Sequence, residues 1–239
     1  MCTFKENDTR SRLVTVYGQD ATSHMLFFAR LLQQLGKCVL VVDNTADGEV
    51  LNYVGSVPKE EDGRIIYRGI TYILNKTAYD EQFFRWYDIV FVNNGIVANP
   101  RMDERSDAIY VYTDFSKECR RNMDVAVSIV KPFTMIYTNG VDSCFSQPNY
   151  VEFEYPSIKQ HMTGQYVLPL SVEDYSCRIH MQYTGKLRYE KLSMEYQELL
   201  KIMVCDLFPE LNQNWHMGSG GGNRCRAYPA VAGRKQTGF

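Results

Sequence analysis

The sequence predicts an α/β protein with a doubly wound, mostly parallel sheet flanked by helices. Short β-branched apolar runs alternate with helix-spaced segments over roughly the first 140 residues. The inner runs CVLVVD and DIVFVNN are apolar nearly throughout, as strands are when helices cover both faces of a sheet. The segment between the first two runs is too short for anything but a right-handed return to a parallel strand.

In chain order, residues 12–17 (RLVTVY) read as a strand. Residues 21–36 place Phe28, Leu31, Leu32 and Leu35 at helical spacing, and 38–43 (CVLVVD) returns to a strand with Cys38 in the core. Residues 64–74 hold two apolar runs around Arg68-Gly69, either a small hairpin or a bent edge strand. Phe83, Phe84, Trp86 and Tyr87 mark a helix over 78–87, which feeds the strand at 88–94. A strand at 107–114 precedes a helix over 116–130 with Cys119, Met123, Ala126, Val127 and Val130 on one stripe and Ser116 as its N-cap. FTMIYTN (133–139) is a further strand, the polar stretch around 140–165 carries no assignment, and QYVLPL (165–170) completes the sheet. Leu192, Tyr196, Leu199, Leu200, Met203 and Leu207 define a long helix that Pro209 closes.

This organisation gives a flexible N-terminus at 1–11, one domain at 12–212 and a Gly/Ser linker at 213–222 of the kind that is engineered. A basic tail follows at 223–239, which reads as a peptide from a binding partner held by high effective concentration, or else as a cloning scar or natural tail. In that tail, Arg224, Arg226, Arg234 and Lys235 around Tyr228-Pro229 suit an acidic groove with an aromatic pocket.

The 26 Lys+Arg against 28 Asp+Glu leave a net charge of −2, which gives no global attraction to nucleic acid or anionic lipid. With no apolar run near the roughly 20 residues of a bilayer span and a polar start, the expectation is a cytoplasmic protein that meets membranes only through a partner. Seven scattered cysteines without a CxxC pair suit reduced thiols, and His24, His161, His180 and His216 form no metal-spaced pair, so no metal is expected. The 17 tyrosines and 12 phenylalanines exceed what a core requires and suggest an aromatic binding surface.

The turn after the first strand is where such a fold binds phosphate, through free N–H groups and the helix dipole. Here it reads YGQDATSH, with one glycine and no lysine. Asp20 stands where it would cap the helix, satisfying the anion site internally and repelling phosphate by about 1 kcal/mol or more.

Over residues 12 to about 207 the chain resembles the deviant-Walker (MinD/ParA-like) P-loop ATPases. Counted back from Asp43, the resemblance puts the family's phosphate-loop lysine on Ala21, its magnesium-binding hydroxyl on Thr22 and a loop glycine on Gly18. The second, signature lysine falls near Val16 and is absent, and Asn93 stands where the family has an aspartate near the γ-phosphate. Asn139 resembles the family's adenine-reading asparagine, with a turn residue before Gly140 as the plainer reading. Asp43 and Asp47 could hold magnesium, or be solvated or capping.

The atypical loop resembles that of the TadZ-like subgroup, which implies a pseudo-ATPase without bound cofactor. Its role would be a scaffold or localisation factor of a pilus or secretion apparatus, through protein or peptide partners and a possible homodimer. The alternatives are an ATP/magnesium-binding switch, or an active ATPase with a relocated lysine such as Lys37 or a residue from a dimer partner.

Overall fold

The computed structural model describes residues 10–54, 63–74 and 81–212. The elements are β1 (Arg12–Tyr17), α1 (Ala21–Gln34), β2 (Val39–Asp43), α2 (Leu51–Val54), β3 (Ile65–Tyr67), β4 (Ile70–Leu74), β5 (Ile89–Asn93), α3 (Pro100–Arg105) and β6 (Ala108–Thr113). After them come α4 (Arg120–Ser128), β7 (Phe133–Gly140), α5 (Pro148–Glu154), β8 (Met162–Pro169), α6 (Val172–Thr184) and α7 (Met194–Leu207).

The eight strands form one sheet in the order β3-β4-β2-β5-β1-β6-β7-β8. Every neighbouring pair is parallel except the β3–β4 hairpin. The chain starts near the middle, winds out through β2 and β4, and later winds the other way through β6, β7 and β8, which is the predicted doubly wound topology.

Alternate residues of each strand feed opposite faces. Val14, Val16, Val41 and Phe91 pack under α1, α6 and α7 with Phe28, Met181 and Leu200. On the other face Val111, Met135 and Tyr137 meet Met123, Ala126 and Val151 of α4 and α5. Leu40, Val42 and Val90 meet Phe84 and Met102 there. Tyrosine goes largely to this interior: Tyr17, Tyr72, Tyr137 and Tyr196 are among the largest fully buried side chains. The aromatic surplus is therefore mostly core, with Tyr150, Tyr175 and Tyr183 left on the surface.

Arg68-Gly69 is a hairpin turn in which both residues have positive φ, 54° and 78°. The buried Arg30 guanidinium holds it from below by donating to the Arg68 carbonyl at 2.8 Å and the Tyr72 hydroxyl at 3.0 Å. The helix expected over 78–87 is a 3₁₀ helix, Glu81–Trp86. Ser116 does not cap the next helix: a 3₁₀ turn, Lys117–Cys119, intervenes, and Cys119 takes the N-cap position without a side-chain hydrogen bond.

The unassigned stretch contains α5 and a 3₁₀ helix, Pro156–Gln160. α6 was also invisible to periodicity, since only Cys177 and Met181 of its 13 residues are buried. Its ends are nonetheless well marked, by the Ser171 hydroxyl accepting from the Asp174 N–H and by Gly185 in the left-handed region. Among the described residues no helix is long and apolar enough to cross a membrane. Residues 213–239, with the linker and the tail residues Arg224, Arg226, Tyr228, Arg234 and Lys235, lie outside the described residues.

Candidate functional site

Because the strands run parallel, the loops after β1, β2 and β5 leave from one edge of the sheet, where open α/β folds place their ligands. Gly18, Asp20, Ala21, Thr22, Asp43 and Asn93 all gather there, and the backbone knits the strand ends together. Gly18 N–H donates to the Gly95 carbonyl at 2.8 Å and Asn44 N–H to the Asn93 carbonyl at 2.8 Å. Gly18 has φ +130°, and a Cβ there would stand 2.1 Å from the Tyr112 carbonyl oxygen, so only glycine lets β1 turn under β6.

Asp20 occupies the N-cap position of α1 but makes no side-chain cap hydrogen bond, contrary to the sequence expectation. Its φ of −105° and ψ of 14° lie outside the extended region in which a capping carboxylate reaches back to the first-turn N–H groups. The exposed carboxylate faces a cleft instead.

The residue that fills the site is Glu49, which sequence reasoning missed. Thr22 Oγ1 donates to its carboxylate Oε2, while Asn93 Nδ2 donates to Thr22 Oγ1 at 2.8 Å and Gly95 N–H to Asn93 Oδ1 at 3.2 Å. Asp43 delivers Glu49 to this position. Its Oδ1 accepts from the Thr45 N–H and hydroxyl at 3.1 and 2.7 Å, and its Oδ2 from the Val50 N–H at 2.9 Å. The Thr45 hydroxyl then accepts from the Glu49 N–H at 3.0 Å. Asp43 is thus a buried loop organiser, and Asp47 is exposed. Burial pushes the Glu49 carboxyl up; the Thr22 hydroxyl opposes this, and Asp47, Asp43 and Asp20 add to it.

Above these groups lies a cleft of about 450 Å³ whose far wall is α6, including Tyr175, Arg178 and Gln182. The Arg178 guanidinium stands 4.8 Å over the Tyr175 ring. Beneath it His24 stacks on Tyr112 with ring centroids 5.0 Å apart and is bonded through Nδ1 to the Tyr196 hydroxyl. Burial, then Arg178, pushes the His24 imidazole down to about 3, so it is neutral. No sequence signal pointed to Glu49 or Arg178, because a carboxylate six residues beyond a strand end and an arginine on a weakly periodic helix are common surface features.

Ala21 supplies no cation, the Thr22 hydroxyl and both Asp43 oxygens are already bonded within the protein, and Asp20 and Glu49 put negative charge where phosphate would sit. No group of three or more His, Cys, Asp or Glu that could hold a metal ion occurs among the described residues. Lys37 is at the opposite edge of the sheet, bonded to Glu210 at 2.9 Å and 4.3 Å over the Phe208 ring. Asn139 is exposed with φ 56° at the end of β7, the turn geometry, and lines neither this cleft nor the next.

A second groove, of about 310 Å³, opens on the same edge beyond β6. Phe115, Phe145, Tyr150 and Met123 line it together with Asp114 and Glu154. Phe145 is 60% exposed and meets Tyr150 edge to face at 5.4 Å.

No protein-family model matches the sequence, and no curated protein does. Solved structures do match. A plasmid partition protein of Borrelia burgdorferi B31 bound to AMPPNP is 10% identical, with TM-score 0.53 over 86% of this chain and all of that one. The ParA of pNOB8, solved with nonspecific DNA, is 14% identical, with TM-score 0.57 over 84% of this chain and 100% of its own. An ATP complex of McdA from Cyanothece is 9% identical, with TM-score 0.58 over 83% of this chain and 97% of its own. At such identities the likeness is one of fold: the chain has the fold of the ParA/MinD-type P-loop ATPases.

Proposed function

We propose that the chain is a pseudo-ATPase of this fold, a protein- or peptide-binding scaffold or localisation factor of a pilus or secretion apparatus. One observation carries the loss of catalysis: the Thr22 hydroxyl, in the magnesium position by resemblance, is held between the Asn93 amide and the Glu49 carboxylate. A magnesium–triphosphate would have to displace Glu49 and lie against Asp20 with no lysine to offset its charge. The apparatus rests on the TadZ-like resemblance of the atypical loop; in this reading the protein is cytoplasmic and reaches membranes through its partner.

The test is a thermal-shift titration with ATP, ADP and GTP plus magnesium. A ligand at 100 times its Kd stabilises by about 2.7 kcal/mol. No shift at millimolar nucleotide is the expected result, and a nucleotide-specific shift overturns the reading.

A second reading, a nucleotide-binding switch, has a specific observation in its favour. The cleft is open, Arg178 lines it, and the Asp20 side chain leaves the α1 N-terminus uncapped. The same titration decides between them, because a switch responds even without turnover. Nucleic acid is not a partner in either reading, on the ground of net charge; a gel shift with nonspecific duplex DNA at low salt would contradict this.

A further inference from the structure

Among the described residues, six connections leave the carboxyl edge of the parallel sheet, at 18–20, 44–50, 94–99, 114–116, 141–147 and 170–171; the connection after β4 lies outside them. They contain five carboxylates, Asp20, Asp47, Glu49, Asp114 and Asp142, and no Lys, Arg or His. The same connections expose Val97, Val141, Phe145 and Leu170, each more than half accessible. Acid and apolar surface are thus interleaved on one face, with the groove of about 310 Å³ and its exposed Phe145–Tyr150 pair at one end. Lys117 is the one cation among the residues lining that groove, with Asp114 and Glu154.

A second copy of this face would meet it with like charge, and a polyanion would be repelled. The complementary occupant is cationic with an apolar centre. Residues 223–239 of this chain have that composition: Arg224 and Arg226, then Tyr228-Pro229, then Arg234 and Lys235, with no acidic residue. We propose that this segment docks in the groove lined by Phe115, Phe145 and Tyr150, Tyr228 against the rings and the flanking cations toward Asp114, Asp142 and Glu154. Fully extended, the ten residues 213–222 span about 33–36 Å. α1, which runs the height of the sheet, is about 21 Å long by its rise per residue. The segment can therefore reach this edge of its own molecule or of a neighbour. This inference rests on the reading of the protein as a peptide-binding scaffold.

The test uses the full chain with Arg224→Gln, Arg226→Gln, Arg234→Gln and Lys235→Gln, so that its own segment does not compete. A fluorescent synthetic peptide of residues 223–239 is titrated into it and followed by anisotropy. Saturable binding is expected that weakens at least tenfold from low to high salt, and again on Asp142→Lys or Phe145→Asp in the protein or Tyr228→Ala in the peptide. Asp142 and Phe145 are both exposed, and unchanged melting of the two variants establishes that the fold is intact. No saturable binding at millimolar protein overturns the proposal, as does binding indifferent to both surface substitutions. So does a dimer that Phe145→Asp dissolves in the absence of peptide binding. Nucleotide titration is run in parallel: a nucleotide response beside peptide binding would remove the pseudo-ATPase reading alone, and silence from both ligands would remove the docking alone.

Discussion

Asn93 donates its side-chain amide to the Thr22 hydroxyl at 2.8 Å, and that hydroxyl passes its own proton toward Glu49. The order of donors requires an amide at position 93. Asn93→Asp would leave two carboxylates facing one buried hydroxyl that has a single proton to give. Such a change costs about 1–3 kcal/mol, or a few degrees in Tm for a chain of this length. The double variant Asn93→Asp/Glu49→Gln restores a donor and should recover most of the loss. Thermal melts of the four combinations test this, and purely additive losses would disprove the coupling.

The fold was legible in the sequence because buried parallel strands announce themselves: RLVTVY, CVLVVD and DIVFVNN became β1, β2 and β5 within a residue or so. α6 was not, since a helix with two buried residues has almost no apolar period to detect. The site was legible only as an absence. The loop YGQDATSH contains no lysine, and Glu49 and Arg178, which line the cleft beside it, reach it through tertiary structure. Asp20 was misjudged for a related reason: the residue type fits a cap, and the backbone angles do not.

Glu49 carries its own pH signature. Its carboxyl is pushed up, chiefly by burial, so the folded state holds this proton more tightly than the unfolded state does. The resulting stability is complete below the unfolded carboxyl range and is lost as pH rises through the folded value. Ionised Glu49 therefore destabilises the native state at neutral pH. Glu49→Gln should raise Tm at pH 7.5, with the gain shrinking toward pH 4. It also removes one of the two carboxylates that oppose phosphate in the cleft, so a nucleotide shift absent from the wild type and present in this variant would identify Glu49 as part of the block. A lower Tm at pH 7.5 would show that its bond to Thr22 outweighs the cost of burial.

Gly18 is fixed by two independent constraints, φ +130° and the Tyr112 carbonyl 2.1 Å from where a Cβ would lie. Gly18→Ala adds backbone strain and overpacking against main chain that cannot move aside, together about 3 kcal/mol or more. At 2–4 °C per kcal/mol for a chain of this size, Tm should fall by roughly 6–12 °C. A loss under 2 °C on thermal denaturation would mean that the β1–α1 turn relaxes freely.

Lys37 offers a control for any residual hydrolysis. Its ammonium is engaged by Glu210 and Phe208 at the amino edge of the sheet, with the length of α1 between it and the cleft. If preparations show ATP turnover, Lys37→Met should leave the rate unchanged. A proportional fall in rate would revive the relocated lysine and require a different arrangement of α1.

His24 links the cleft to acid stability. In the folded chain the imidazole is pushed down to about 3 by burial and by Arg178, against an ordinary value of 6.5. Between those values the unfolded state binds a proton that the folded state refuses, so stability falls as pH drops, by about 1.4 kcal/mol per pH unit for one group. The stability is fully present above pH 6.5 and is lost progressively on the way down to about pH 3. His24→Gln removes this single proton while leaving an amide to meet the Tyr196 hydroxyl. Denaturant unfolding at pH 6, 5 and 4 should then show a slope shallower than wild type by about that amount per unit, whatever offset the lost Tyr112 stacking adds at every pH. Comparing slopes and not absolute stabilities separates titration from packing. An unchanged slope would mean that His24 takes up its proton in the folded state, with solvent reaching it through the cleft beside Arg178.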